Sequence, residues 1–194
     1  DYRGALREFR RAAYIKPGFI DARFQMGNLF VLARDIPHAK EELDKIRTQD
    51  QNAIEARFLA ANIAMAEKDP DKALKELQEA LIKEPKRVGT YIDLGSVHIT
   101  RKNFKAAEEA FRKALDIEPG LARARIALAN LYSVTGDQEK AEEELILATK
   151  ADPENEGLLH LLGNFYSRTG QFDDYEKLYR DLLQKKPDSL LAKK

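Results

Sequence analysis

The side chains able to do acid–base, nucleophilic or metal chemistry are spread through this sequence in a way that points away from catalysis. There are three histidines, His38, His98 and His160. None has a second histidine at the spacing that would put two imidazoles on one metal ion. There is no cysteine, which removes disulfides, thiolate metal sites and cysteine nucleophiles together. Carboxylates are plentiful, but they stand four residues ahead of a base: Glu41 before Lys45, Glu108 before Arg112, Glu109 before Lys113. Such pairs belong to a solvated helix face. The phosphate loop, the dinucleotide fingerprint, the zinc-protease helix, the nucleophile elbow and the EF-hand loop are all missing as patterns. The expectation is a segment that is not an enzyme and carries no cofactor and no metal.

Composition narrows the class further. The chain has 194 residues, with 33 basic and 33 acidic side chains and a mean hydropathy of -0.54. Zero net charge argues against a dedicated nucleic-acid surface, which needs a basic footprint. No apolar run is long enough for a membrane span. A cysteine-free chain is stable in either redox environment, so no compartment is assigned.

The elements that carry these side chains repeat. Proline stands at 17, 85, 119, 153 and 187, in steps of 34 or twice 34, with Gln51 at the skipped position. Alanine runs in phase at 5, 39, 73, 107 and 141, and Tyr175 replaces it at the end. Between prolines lie two amphipathic helical segments, such as 90–100 and 104–117. The break between segments carries Asp35, Asp69, Asn103 or Asp137 as a helix N-cap. Pro37 and Pro70 sit in the first turn of their second helices, where a missing N–H costs nothing.

With each repeat started three residues after the proline column, the sequence resembles the tetratricopeptide (TPR) family. The third repeat has Tyr91, Leu94, Gly95, His98, Ala107, Phe111, Ala114 and Pro119 at the motif positions. Only His98 departs from the motif, standing where an aromatic is usual, and it reads as a packing residue. The fourth has Arg125, Leu128, Ala129, Tyr132, Ala141, Leu145, Ala148 and Pro153. The resemblance implies an all-α, right-handed α-solenoid of antiparallel helix pairs. Its repeats are 20–53, 54–87, 88–121, 122–155 and 156–189, with a truncated second helix at 1–19 and a further helix or cap beginning at 190–194. In such an array no helix pair buries its face alone, so stability comes from stacked neighbours. Small residues at repeat positions 8 and 20 are expected to let the two helices of one repeat approach closely.

Two repeats depart from the pattern. The second has Ala60, Ala61 and Ala64 where larger residues are usual, read as locally closer packing or a softer joint, with a gap for a partner side chain as the lesser alternative. The fifth has Tyr175 in the alanine column, where an aromatic blocks the usual approach. The start without methionine and the tail after Pro187 are read as a segment of a larger, bacterial-type protein. Its uncapped ends predict self-association.

The resemblance also implies a binding face. First helices line the concave side, so position 9 (Asn28, Asn62, Ser96, Asn130, Asn164) becomes a polar row. Position 5 (Phe24, Phe58, Ile92, Ile126, His160) and position 12 (with Met65 and Ile99) add apolar rows. An asparagine amide offers a donor and an acceptor to one peptide unit of an extended chain. The other reading has asparagine capping or bridging neighbouring helices. The family's carboxylate clamp needs basic residues at positions 2, 5 and 6, and the rows here do not supply them. The expected function is a non-catalytic scaffold that binds a protein or extended peptide. The alternatives are an RNA-binding helical-repeat module, or a regulatory arm of an enzyme outside these residues.

Overall fold

Proline and capping chemistry dictate where the helices stop and start. The computed structural model describes residues 2–186. Among these, the chain forms eleven helices and no strand: α1 (Tyr2–Ile15), α2 (Ile20–Leu32), α3 (Ile36–Gln49), α4 (Ile54–Ala66), α5 (Pro70–Lys83), α6 (Val88–Thr100), α7 (Phe104–Ile117), α8 (Ala122–Thr135), α9 (Gln138–Ala151), α10 (Glu156–Thr169) and α11 (Phe172–Lys185). The even-numbered helices begin at 20, 54, 88, 122 and 156. Pro187 and the helix expected at 190–194 lie outside the described residues.

The helices α1, α5, α7 and α9 each end two residues before a proline, which disfavours helix in the residue ahead of it. Helix α3 has no such proline and still ends at Gln49. There the Asp50 carboxylate accepts the Asn52 N–H at 2.7 Å, a side-chain turn that does the same work. Asp35, Asp69 and Asp137 accept the N–H of His38, Lys72 and Lys140 and cap α3, α5 and α9.

Each first helix ends in a left-handed residue at one repeated position: Arg34 (φ 62°), Lys68 (63°), Lys102 (57°), Gly136 (88°) and Gly170 (77°). The N–H of the next residue then bonds the carbonyl five back, as Asp35 does to Phe30 at 2.8 Å and Asp137 to Tyr132 at 2.9 Å. This closes the helix end on itself. Left-handed backbone is natural for glycine and strained for lysine or arginine. Lys102→Gly is therefore expected to stabilise the protein by about 0.5 kcal/mol, the net of relieved strain and glycine's greater freedom when unfolded. Urea unfolding checks it, and a lower midpoint would count against strain at this turn.

The chain divides into two compact units, one running to Asn103 and one beginning at Phe104. The division falls between α6 and α7, inside the repeat that the sequence columns place at 88–121. In the first unit α2·α3 and α4·α5 are hairpins, and α1·α2, α3·α4 and α5·α6 join them in series. Helix α2 also packs directly on α4. In the second unit α7, α8, α9, α10 and α11 pack in the same serial way. Both units are all-α helical-repeat structure.

The alanine column is interior, with Ala39, Ala73, Ala107 and Ala141 all 0% exposed. Ala107→Leu is expected to overpack this interior position of α7 at roughly 1–3 kcal/mol. A melting curve identical to wild type would remove the assignment. The small residues of the thin second repeat are interior. Ala60, Ala61 and Ala64 are buried, and the Leu59 side chain lies over Gly27 of α2. Glycine at position 8 thus admits a neighbouring first helix here, not the second helix of its own repeat. In the last repeat Gly163 does face its own repeat, where the Tyr179 hydroxyl lies against it. Tyr175 tilts against Tyr179 with ring centroids 4.6 Å apart. The glycine thus makes room for Tyr179, on which the Tyr175 of the alanine column rests.

The fourth position of the first four full repeats does a job that the columns do not announce. Arg23, Arg125 and Tyr91 reach back to the carbonyls of Pro17, Pro119 and Pro85, at 3.2, 2.8 and 2.9 Å. These are carbonyls just past a helix end, without a helical donor. Arginines at this position also pair across their hairpins: Arg23 with Glu42, Arg57 with Glu76 and Arg125 with Glu144, each nineteen residues on.

Candidate binding site on the first helices

His38 is exposed, its Nδ1 2.8 Å from the Asp35 carboxylate and its ring stacked on Phe30. The hydrogen bond to Asp35 raises the imidazole's pKa and lowers that of the carboxylate. It is a capping arrangement at the start of α3. His98 is half-buried on α6, and His160 lies 3.2 Å from Asn164 on the same exposed face of α10.

The Glu108–Arg112 pair is more than the surface pair its spacing predicts. The Tyr132 hydroxyl of α8 donates to Glu108 at 2.7 Å, and Arg112 donates to that hydroxyl at 2.8 Å. The bond from Tyr132 holds Glu108 below the usual carboxylate range. Burial, then the bond to Glu108, pushes the Tyr132 phenol up to about 12. Burial and the Glu142 charge push Tyr166 to about 12 as well. A raised phenol stabilises the fold fully below its unfolded value of 10 and loses that stability as pH climbs toward 12. Spectrophotometric titration of the native protein should therefore show late phenol steps at about 12 from Tyr132 and Tyr166. Tyr132→Phe should delete one late step, and its persistence would refute the triad.

The expected ligand row is resolved differently in different helices. In the first unit Asn62 Nδ2 donates to Asn28 Oδ1 at 2.9 Å, a bond between α4 and α2 across 34 residues. The bridging reading of the asparagines therefore holds for this pair. The bond uses one donor and one acceptor and leaves Asn28 Nδ2 and Asn62 Oδ1 for another partner. At position 9 of α6, Ser96 turns back to the Ile92 carbonyl at 3.0 Å. In the second unit Asn130 and Asn164 are exposed on α8 and α10.

A cavity of about 710 Å³ opens beside the asparagine pair, lined by Asn28, Val31, Leu32, Arg34, Asn62, Met65, Ala66 and Lys68. It unites Asn28, Asn62 and Met65 from the expected set. Phe24, Ile99 and Ile126 are half-buried and lie outside its lining. Phe58 and Ile92 need correcting as ligand contacts. They are only 6% and 7% exposed, because position 5 turns inward on α4 and α6. The Arg87 guanidinium lies 4.6 Å over the Phe58 ring. The lining adds Leu32, Arg34, Ala66 and Lys68, which the column reading passed over. Leu32 is 78% exposed, an apolar residue with no core role. An apolar residue at the end of a first helix followed by a base was the signal in the sequence.

Among the described residues, no group of three or more histidines or carboxylates is placed to hold a metal ion, and no helix is long and apolar enough to cross a membrane.

Comparison with known proteins agrees with this architecture. Family models described as tetratricopeptide repeat match residues 58–122, 98–155 and 158–192. No curated protein sequence matches. Among solved structures, PilW, a type IV pilus biogenesis factor, is similar with a TM-score of 0.73 at 16% identity, over 100% of this chain and 90% of that one. Yeast Tom70 is similar at 0.74 and 18% identity, over 91% of this chain and 38% of that one. A thermophilic TPR protein of Thermus thermophilus is similar at 0.65 and 17%, over 90% and 95%. At these identities the likeness concerns the fold alone.

Proposed function

The chain belongs to the tetratricopeptide repeat family, and from that premise we propose that it is a non-catalytic scaffold whose first helices bind an extended segment of a partner protein. Protein-interaction scaffolding is the general role of this fold; the groove and its residues are the specific reading. The observation that carries it is the hydrogen-bonded Asn28–Asn62 pair beside an open cavity with apolar and amide lining. An extended peptide needs a donor and an acceptor at backbone spacing with apolar sites for alternate side chains, and this lining supplies both. In the second unit, the exposed Asn130 and Asn164 are assigned the same role on α8 and α10.

The balanced charge of 33 against 33 supports a protein ligand over single-stranded RNA. The test compares proteins captured from a lysate by the wild-type chain and by Asn28→Ala with Asn62→Ala. Loss of the same partners on substitution supports the groove. Unchanged capture places binding elsewhere, and tight, salt-sensitive binding of a single-stranded RNA would replace the reading. Self-association through the chain's ends is also part of the proposal, and light scattering that stays monomeric at high concentration would remove it.

A further inference from the structure

We propose that the cavity between α2 and α4 selects a partner segment in which an internal acidic side chain stands next to an apolar one; this rests on the groove reading above. Two basic residues, Arg34 and Lys68, line the cavity at the same position of successive repeats. Neither makes an ion pair among the described residues, whereas the adjacent Glu67 is already held by Lys40. The cavity therefore has two uncommitted cations at one edge, the Asn28 and Asn62 amides in its wall, and Val31, Leu32 and Met65 as apolar surface. Such a lining complements an aliphatic side chain with a carboxylate beside it.

Backbone conformation provides the second, independent argument. Arg34 and Lys68 occupy left-handed backbone at φ 62° and 63°, as Lys102 does at 57° outside this cavity, where the equivalent turns after α8 and α10 have Gly136 and Gly170. Folding alone favours glycine at that position. Strained backbone that carries a particular side chain is a mark of function in need of a direct test. The cations are also on the turn after the first helix, not at the second, fifth and sixth helical positions, so they reach a side chain lying across the ends of α2 and α4.

The same geometry makes the test clean. Arg34→Gly with Lys68→Gly removes both charges at positions where glycine fits the backbone, so the variant should fold and melt no lower than wild type. Three fluorescent eight-residue peptides serve as probes, acetylated and amidated, alternating leucine with glutamate, with glutamine or with lysine. A fourth keeps leucine and glutamine but ends in a free carboxylate. The glutamate peptide should bind wild type about tenfold more tightly than the glutamine peptide, as two charge-assisted contacts allow. The glycine variant should lose that difference, and Asn28→Ala with Asn62→Ala should weaken the glutamate and glutamine peptides alike. Equal binding of the two, still weakened by the asparagine substitutions, overturns acidic selection and leaves the groove standing. A preference for the free carboxylate alone, or for lysine, also overturns it. If no peptide binds wild type, the groove reading itself falls.

Discussion

Arg125→Leu is expected to destabilise the protein by about 3 kcal/mol, and adding Glu144→Leu to restore most of that loss. Arg125 and Glu144 join α8 to α9 at 2.9 Å, with side chains only 16% and 9% exposed. Removing the guanidinium leaves a buried carboxylate without its counter-ion and strips the Pro119 carbonyl of its donor. Both losses exceed anything that a surface pair would show. Removing both charges eliminates the uncompensated group, and well-packed leucines replace a pair whose Arg125 Nε is itself buried without a hydrogen-bond partner. The chain already holds this exchange: the last repeat has Leu159 and Leu178 at the corresponding positions, where both line one cavity beside Leu182. The third repeat has Tyr91 and Ala110 there, and Tyr91 keeps only the bond to the proline carbonyl. Urea unfolding of the single and double variants decides the matter. If the double variant is no more stable than Arg125→Leu, the two groups are not energetically coupled.

The second large effect is at the contact between α2 and α4. Gly27→Ala should cost roughly 1–3 kcal/mol, because a Cβ there would drive into the methyls of the fully buried Leu59, whose side chain must shift to make room. Leu59→Ala alone should cost about 2–5 kcal/mol through lost burial and the cavity left behind. Together they should cost clearly less than the sum, since alanine at 27 fits into the space vacated at 59. A coupling of about 1 kcal/mol or more in this double-mutant cycle is expected for side chains in direct contact. Strict additivity would mean that Leu59 does not set the glycine requirement. Because Asn28 follows Gly27, Asn62 lies three residues past Leu59, and the pair joins the same two helices, Gly27→Ala should also loosen the asparagine bridge and weaken peptide binding to the α2–α4 cavity.

How far the sequence reaches is visible residue by residue. The period of 34, the proline stops, the aspartate caps at 35, 69 and 137 and the interior alanine column were all legible. Each is either a local backbone rule or a phase around a single helix, and a helix has 3.6 residues per turn whatever it packs against. The candidate site was legible in part for the same reason. Asn28, Asn62 and Met65 share a helical face, and the face follows from the period. What the period does not contain is the neighbour. Whether Gly27 receives its own hairpin partner or Leu59 of the next first helix depends on the rotation and approach of two helices. That same rotation turns Phe58 and Ile92 into the core and leaves Leu32 outside. It brings Tyr132 onto the Glu108–Arg112 pair, and it closes the Asn28–Asn62 bond. The left-handed turns that aim Arg34 and Lys68 at the cavity were equally hidden. Lysine and arginine carry no preference for that backbone, and only the closed helix end imposes it. The sequence by itself determined a periodic helical array with one polar and one apolar row. The tertiary structure decided which residues of those rows meet, because meeting is a property of pairs of helices, and the residue spacing along each one does not contain it.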